Sequence, residues 1–118
     1  MSTLLIRMTK PPYSTSSASD GLDFALSATN YGHDVVMVFE GEGILQLIDQ
    51  QTPATTAIRN HAKRLKSLPL FDIHACYYIT EDVPQWGLMP QALNAVAQPC
   101  CHNTLITLIN SCDHVVTF

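Results

Sequence analysis

Val35-Val36-Met37-Val38-Phe39, followed by Glu40-Gly41-Glu42-Gly43, is the stretch from which the fold is read. Five successive apolar residues, three of them β-branched, form a strand without polar alternation. A strand that faces water on one side alternates; this one must be covered on both, as in a parallel sheet between helices. The glycines then break the strand, and Ile44 to Ile48 begins a short helix. Upstream, Leu4-Leu5-Ile6-Arg7-Met8 reads as a first, mostly buried strand, stopped by Pro11-Pro12, which cannot donate to a ladder. Tyr13 to Ser19 is a small, polar loop that ends in helix N-cap candidates. From Asp20 to Tyr31 the residues Leu22, Ala25, Leu26 and Thr29 recur at helical spacing, and Gly32 follows as a left-handed terminator.

Downstream, Thr52-Pro53 caps a helix expected to run to about Ser67 with a stripe of Ile58, Ala62 and Leu65. A third strand is expected over Ile73 to Thr80, then a Trp86-Gly87 turn and a helix from Pro90 to Ala97. Pro99 to His102 reads as a short fourth strand. Asn103 to Cys112 reads as a last helix, with Leu105, Leu108, Ile109 and Cys112 on one face, and His114 to Phe118 as a final strand. Repeated strand–helix alternation predicts an α/β fold, a three-layer sandwich in one domain spanning residues 1–118. Strand order is not written in this pattern.

The chain has 118 residues, enough for one core and too few for two. With 47% hydrophobic and 14% charged residues, neither disorder nor a polar coiled coil fits. Six Lys plus Arg against ten Asp plus Glu leave a formal charge of −4, so direct nucleic-acid binding is not expected. No apolar run reaches the ~18 residues that span a bilayer, and the apolar start is too short for a signal peptide, so a cytoplasmic protein is expected.

Ligands of parallel α/β sheets gather at the carboxyl ends of the strands. Ser14-Thr15-Ser16-Ser17 lacks the glycines of a phosphate loop and reads as capping. Glu40 and Glu42 supply two close carboxylates, best read as favouring a helix N-terminus. Cys100-Cys101-His102 and Cys112-Asp113-His114 lack the spacing of a closed zinc site, so no metal and no cofactor is expected. Cys76, inside a strand, reads as a buried inert thiol; Cys100 and Cys101 are the candidate nucleophiles. Arg59, Lys63 and Lys66, with Arg64 nearby, read as a solvated helix face.

Four blocks, in order, resemble a known family: SASDGLDFALSA (residues 17–28), FEGEGILQLIDQQTP (39–53), LPLFDIHACYY (68–78) and CDHVVTF (112–118). Together they resemble the TusC/DsrF branch of the DsrE-like sulfur-relay proteins. The resemblance implies a mostly parallel five-stranded sheet of flavodoxin-like architecture. It also implies a cytoplasmic dimer of heterotrimers with TusB-like and TusD-like subunits. Such a complex passes persulfide sulfur from a TusA-like carrier, through a TusE-like acceptor, toward 2-thiolation of the tRNA wobble uridine. The related DsrF-like subunits serve sulfur oxidation.

In the TusD/DsrE-like subunit the sulfur-carrying cysteine precedes a glycine by eight positions. Here the residue eight before Gly87 is Ile79, which has no nucleophile, and Cys76 lies an odd step away on the other strand face. The resemblance therefore implies a noncatalytic, scaffolding subunit rather than an enzyme. The alternatives are a free-standing persulfide carrier using Cys100 or Cys101, and a DsrF-like subunit of a sulfur-oxidation complex. Mean hydropathy of +0.11 suits a chain that buries surface against neighbours. Tyr77, Tyr78, Trp86, Leu88 and Met89 are the interface candidates, and the tyrosines fit a core equally well.

Overall fold

The computed structural model describes residues 3–11, 16–48, 61–88, 93 and 95–118. Five strands carry the fold: β1 (Thr3–Met8), β2 (Asp34–Phe39), β3 (Ala75–Ile79), β4 (Gln98–Cys100) and β5 (His114–Thr117). They form one sheet in the order β4-β3-β2-β1-β5, every neighbouring pair parallel. Among the described residues, three α-helices, α1 (Ser17–Asn30), α2 (His61–Lys66) and α3 (His102–Ser111), accompany it. The expected α/β class and parallel five-stranded sheet are present.

Both faces of β2 are covered, as its unbroken apolar run requires. On one face, Leu4, Ile6 and Met8 of β1 and Val35, Met37 and Phe39 of β2 meet Leu22, Ala25 and Ala28 of α1. Ile44, Leu47, Leu65 and Leu68 extend this main core from the segments after β2 and from the α2 side. On the opposite face, Leu5, Val38, Ile79 and Cys100 pack under Leu105 of α3. Half-buried Leu108, Ile109 and Cys112 complete the stripe expected of that last helix.

Helix α1 begins at Ser17 rather than Asp20: the amide of Asp20 donates to Ser16 O (2.8 Å), so the serines form the first turn instead of a loop. Its buried stripe is Ala18, Leu22, Ala25 and Ala28, one turn longer than expected, with Leu26 only half-buried. Gly32, with φ of +82°, follows the helix as expected.

Gly43 solves a tighter problem. A Cβ there would lie 1.9 Å from the Met8 carbonyl oxygen, so the short 3-10 helix Gly41–Leu47 can lie against β1 only through glycine.

Three expectations about element limits are corrected. The third strand is Ala75–Ile79, shorter than Ile73–Thr80: the Ile73 amide donates back to Leu68 O (3.2 Å), and Thr80 opens a 3-10 turn, Thr80–Asp82. No helix is present over the described part of 90–97. Leu93 instead makes an antiparallel bridge to Ile48 and, with Ala97, is buried in the main core. The fourth strand is Gln98–Cys100, and α3 starts at His102, so Cys101 caps the helix rather than continuing the strand. Helix α2 ends at Lys66, in agreement with the expected limit at about Ser67, and Leu65 is buried as expected. The expectations for Thr52, Pro53, Ile58 and Arg59, and for the side chains of Ala62 and Lys63, lie outside the described residues.

Arg64 also departs from the solvated face expected of it. Its guanidinium donates to Ser19 Oγ (3.0 Å) and pairs with the Asp23 carboxylate, tying α2 to α1.

Candidate functional site

The strand order brings three carboxyl-end segments side by side: Glu40–Gly43 after β2, Thr80–Gly87 after β3 and Cys101–Asn103 after β4. Neighbouring β1 contributes Arg7. A guanidinium inside an otherwise apolar strand needs a partner. Arg7 Nε donates to Glu40 Oε2 (2.9 Å) and Nη2 to Oε1 (2.6 Å), a fork-to-fork pair. The hydrogen bond to Glu40 raises the Arg7 pKa further above its already high value. Glu40 is thus committed to a structural ion pair rather than to acid–base work, in keeping with its structural reading.

The carboxylates after β3 are equally committed. Asp82 Oδ2 accepts the Gly41 amide (2.9 Å), joining the segments after β2 and β3. Trp86 Nε1 donates to Gly41 O (3.0 Å), which closes the same turn from outside. Glu81 Oε2 accepts the His102 amide (3.1 Å) at the first turn of α3, and Oε1 accepts the Thr80 hydroxyl (2.9 Å). These bonds, that from His102 first, hold the Glu81 carboxyl below its usual range. His102 Nε2 lies 4.0 Å from Asp82 Oδ1.

Ile79, immediately before this cluster, is fully buried between Leu5, Val38, Cys100 and Leu105. Cys76 lies on the other face of β3 in the main core, as the odd step predicts, and burial pushes its thiol up to about 12. Cys100 and Cys101 are adjacent yet opposite in character. Cys100 is buried under α3 and its thiol is raised by desolvation; its Sγ–H points to Cys101 O (3.4 Å). Cys101 is exposed at the N-cap of α3, and its Sγ lies 3.2 Å from Thr104 Oγ1. The Thr104 hydroxyl, then the Thr104 and Asn103 amides, lower its pKa below that of a free thiol. No Lys or Arg stands beside Cys101 in the sequence, so neighbouring charge gives no hint of this lowering. The available signal was a cysteine just ahead of a predicted helix.

Cys112-Asp113-His114 lies at the far end of α3 from Cys100-Cys101-His102, about 15 Å along a ten-residue helix. Among the described residues no group of three His, Cys, Asp or Glu is placed to hold a metal ion. No described helix is long and apolar enough to cross a membrane.

The interface candidates separate by exposure. Tyr78 is buried in the main core, Tyr77 is half-buried on the α3 face, and Leu88 is half-buried against the main core. Trp86 is 37% exposed beside Gly41, and Met89 lies outside the described residues.

These features define a class: a parallel α/β domain whose Glu40, Glu81 and Asp82 carboxylates are spent on its own backbone and side chains, and whose third strand ends in an aliphatic residue. The chain belongs to the DsrE/DsrF-like family, whose profile matches residues 2–118. It is similar to "Protein TusC homolog" of Aliivibrio fischeri, 27% identical over 107 residues and 91% of each chain. It is also similar to "Protein TusC homolog" of Vibrio parahaemolyticus, 31% identical over 98 residues and 83% of each chain. The crystal structure of the ychN protein from E. coli superposes with a TM-score of 0.87 over the whole of both chains, at 18% identity, a likeness of fold.

Proposed function

We propose that this chain is a noncatalytic, TusC-like subunit of a sulfur-relay complex. It packs with TusB-like and TusD-like subunits in a cytoplasmic dimer of heterotrimers that serves 2-thiolation of the tRNA wobble uridine. TusA-like and TusE-like carriers deliver and remove the sulfur through the complex. Family membership and the names of the relatives support the relay. One observation carries the noncatalytic role: Ile79, where the resemblance expects the sulfur-bearing cysteine, is an aliphatic side chain with no solvent access. A persulfide needs a reachable thiolate, and this position offers neither thiol nor access.

In this reading the ordered edge around Gly41, Asp82 and Trp86 is a rigid shoulder against which a neighbour's reactive loop is held. Trp86 and Tyr77 are the residues that meet the neighbour. Trp86 is already held by its hydrogen bond to Gly41 O and Tyr77 by its packing on the α3 face, so both cost little entropy to bury further.

Co-expression with TusB-like and TusD-like partners, followed by native mass measurement, tests the assembly. The expected result is a complex containing this chain in equal number with each partner. Loading the complex with a sulfane-sulfur donor and weighing each intact chain tests the role. Added sulfur is expected on the TusD-like chain and not on this one. Persistent sulfur on this chain, with turnover, would refute the scaffold.

Cys101 supports the second reading, a persulfide carrier, since it is the exposed thiol with a lowered pKa. Under that reading the isolated chain gains sulfur mass, and Cys101→Ser abolishes the gain.

A further inference from the structure

The two edges of the sheet are built differently. The β4 edge is three residues long and carries Pro99, a guarded edge. The β5 edge, His114-Val115-Val116-Thr117, has no proline and no Lys, Arg, Asp or Glu. Phe118, just beyond it, donates its amide to Arg7 O (2.8 Å) and accepts from the Thr9 amide (2.7 Å). In a parallel ladder alternate residues make both bonds, so Val116 faces β1 in the same way. The N–H and C=O groups of Val115 and Thr117 therefore point away from the sheet, where a further strand would meet them.

Both flanks of this edge are apolar. Val115 is 40% exposed on the α3 face. On the α1 face a groove of about 380 Å³ opens between β5 and α1, lined by Leu4, Phe24, Ala28, Tyr31 and His114. Phe24, itself 40% exposed, packs on Phe118 with ring centroids 5.6 Å apart.

We propose that β5 pairs antiparallel with β5 of a second copy of this chain, about a two-fold axis at Val116, to give a continuous ten-stranded sheet. The register follows from the outward groups. Val115 of one copy faces Thr117 of the other in a hydrogen-bonded pair, and the symmetry repeats it, for four backbone bonds. Val116 then faces its own copy in the non-hydrogen-bonded position, about 4.5 Å between Cα atoms. The same register sets Phe118 of each copy opposite His114 of the other, on the α1 face, where its ring closes the mouth of the groove. None of the strand residues paired across this axis is an acid, a lysine or an arginine. A second copy is the occupant whose strand fits edge, register and groove at once. The proposal does not rest on the sulfur-relay reading.

Sedimentation of the full chain over a micromolar concentration range is the test. The expected result is a reversible dimer of the 13.0 kDa chain. Thr117→Lys places a charge on an exposed edge position, the device by which natural edges avoid pairing. It is expected to weaken the dimer at least tenfold while leaving the circular dichroism spectrum unchanged. Val116→Cys is the second, independent variant: air oxidation is expected to link two chains, with peptide mapping placing the bridge at position 116 in both. A wild-type chain that stays monomeric throughout overturns the proposal. So does a dimer that Thr117→Lys leaves intact, or one in which position 116 does not cross-link to itself.

Discussion

Gly43→Ala measures how closely the 3-10 helix after β2 lies on β1. The added Cβ would stand 1.9 Å from Met8 O, and carbon–oxygen contacts of that kind do not go below about 3 Å, so the two backbones must part by roughly 1.1 Å. That same oxygen accepts the Glu40 amide at 3.0 Å, and the movement breaks the bond. Forced overpacking costs about 1–3 kcal/mol, and a lost backbone hydrogen bond adds about 1. The expected destabilisation is therefore about 2–4 kcal/mol, or a fall of roughly 8–16 °C in Tm for a domain of this size. Gly32→Ala is the control. Its Cβ would meet nothing within 4 Å, and only the left-handed φ of +82° opposes it, at about 1 kcal/mol and roughly 4 °C. Thermal melts of the two variants, with urea unfolding for the free energies, decide the matter. If Gly43→Ala melts within about 2 °C of wild type, or no lower than Gly32→Ala, the close approach is not a determinant of the fold.

Glu81→Gln removes a carboxylate whose pKa is depressed in the folded chain. Such a group contributes stability above its unfolded pKa and loses it as pH falls through the folded value. The Tm gap between wild type and variant is therefore expected at neutral pH and should close on acidification below the carboxylate range. Iodoacetamide at neutral pH should label Cys101 first, with Cys100 slower and Cys76 protected until unfolding, as read by intact mass and peptide mapping. Preferential labelling of Cys76 would contradict its place in the core. Leu105→Ala truncates the one fully packed side chain of α3 and should cost about 2–4 kcal/mol in urea unfolding, with faster amide exchange across α3.

The layers were legible because they depend on local periodicity. The unbroken run in β2 required two covered faces, and the stripe of Leu105, Leu108, Ile109 and Cys112 placed α3 within one residue of its true limits. Expectations erred where burial without regular structure mimics a pattern. Ile73 is fully buried yet bonds to the preceding turn, and Leu93 and Ala97 are buried without being helical. The site was less legible. Arg7 with Glu40, Asp82 with Gly41, and Glu81 with His102 are separated by between 21 and 41 positions and meet only through the strand order. Ile79, by contrast, needs no partner to be noticed: an aliphatic residue at the end of the third strand is legible by itself, and only its complete burial waits on the fold.

Three of the four ladders join strands that follow one another along the chain, whereas the fourth sets β5 beside β1 and brings Asp113 to Thr3, 110 positions away. Closing so long a loop carries the largest entropic penalty in the topology. The four-strand portion has only short excursions to make, and the fifth must wait for the rest of the chain to be made and collapsed. Until it arrives, Leu4 to Met8 lies at a bare margin of the sheet. The speed with which β5 takes that berth sets how long the nascent protein is exposed to misassembly.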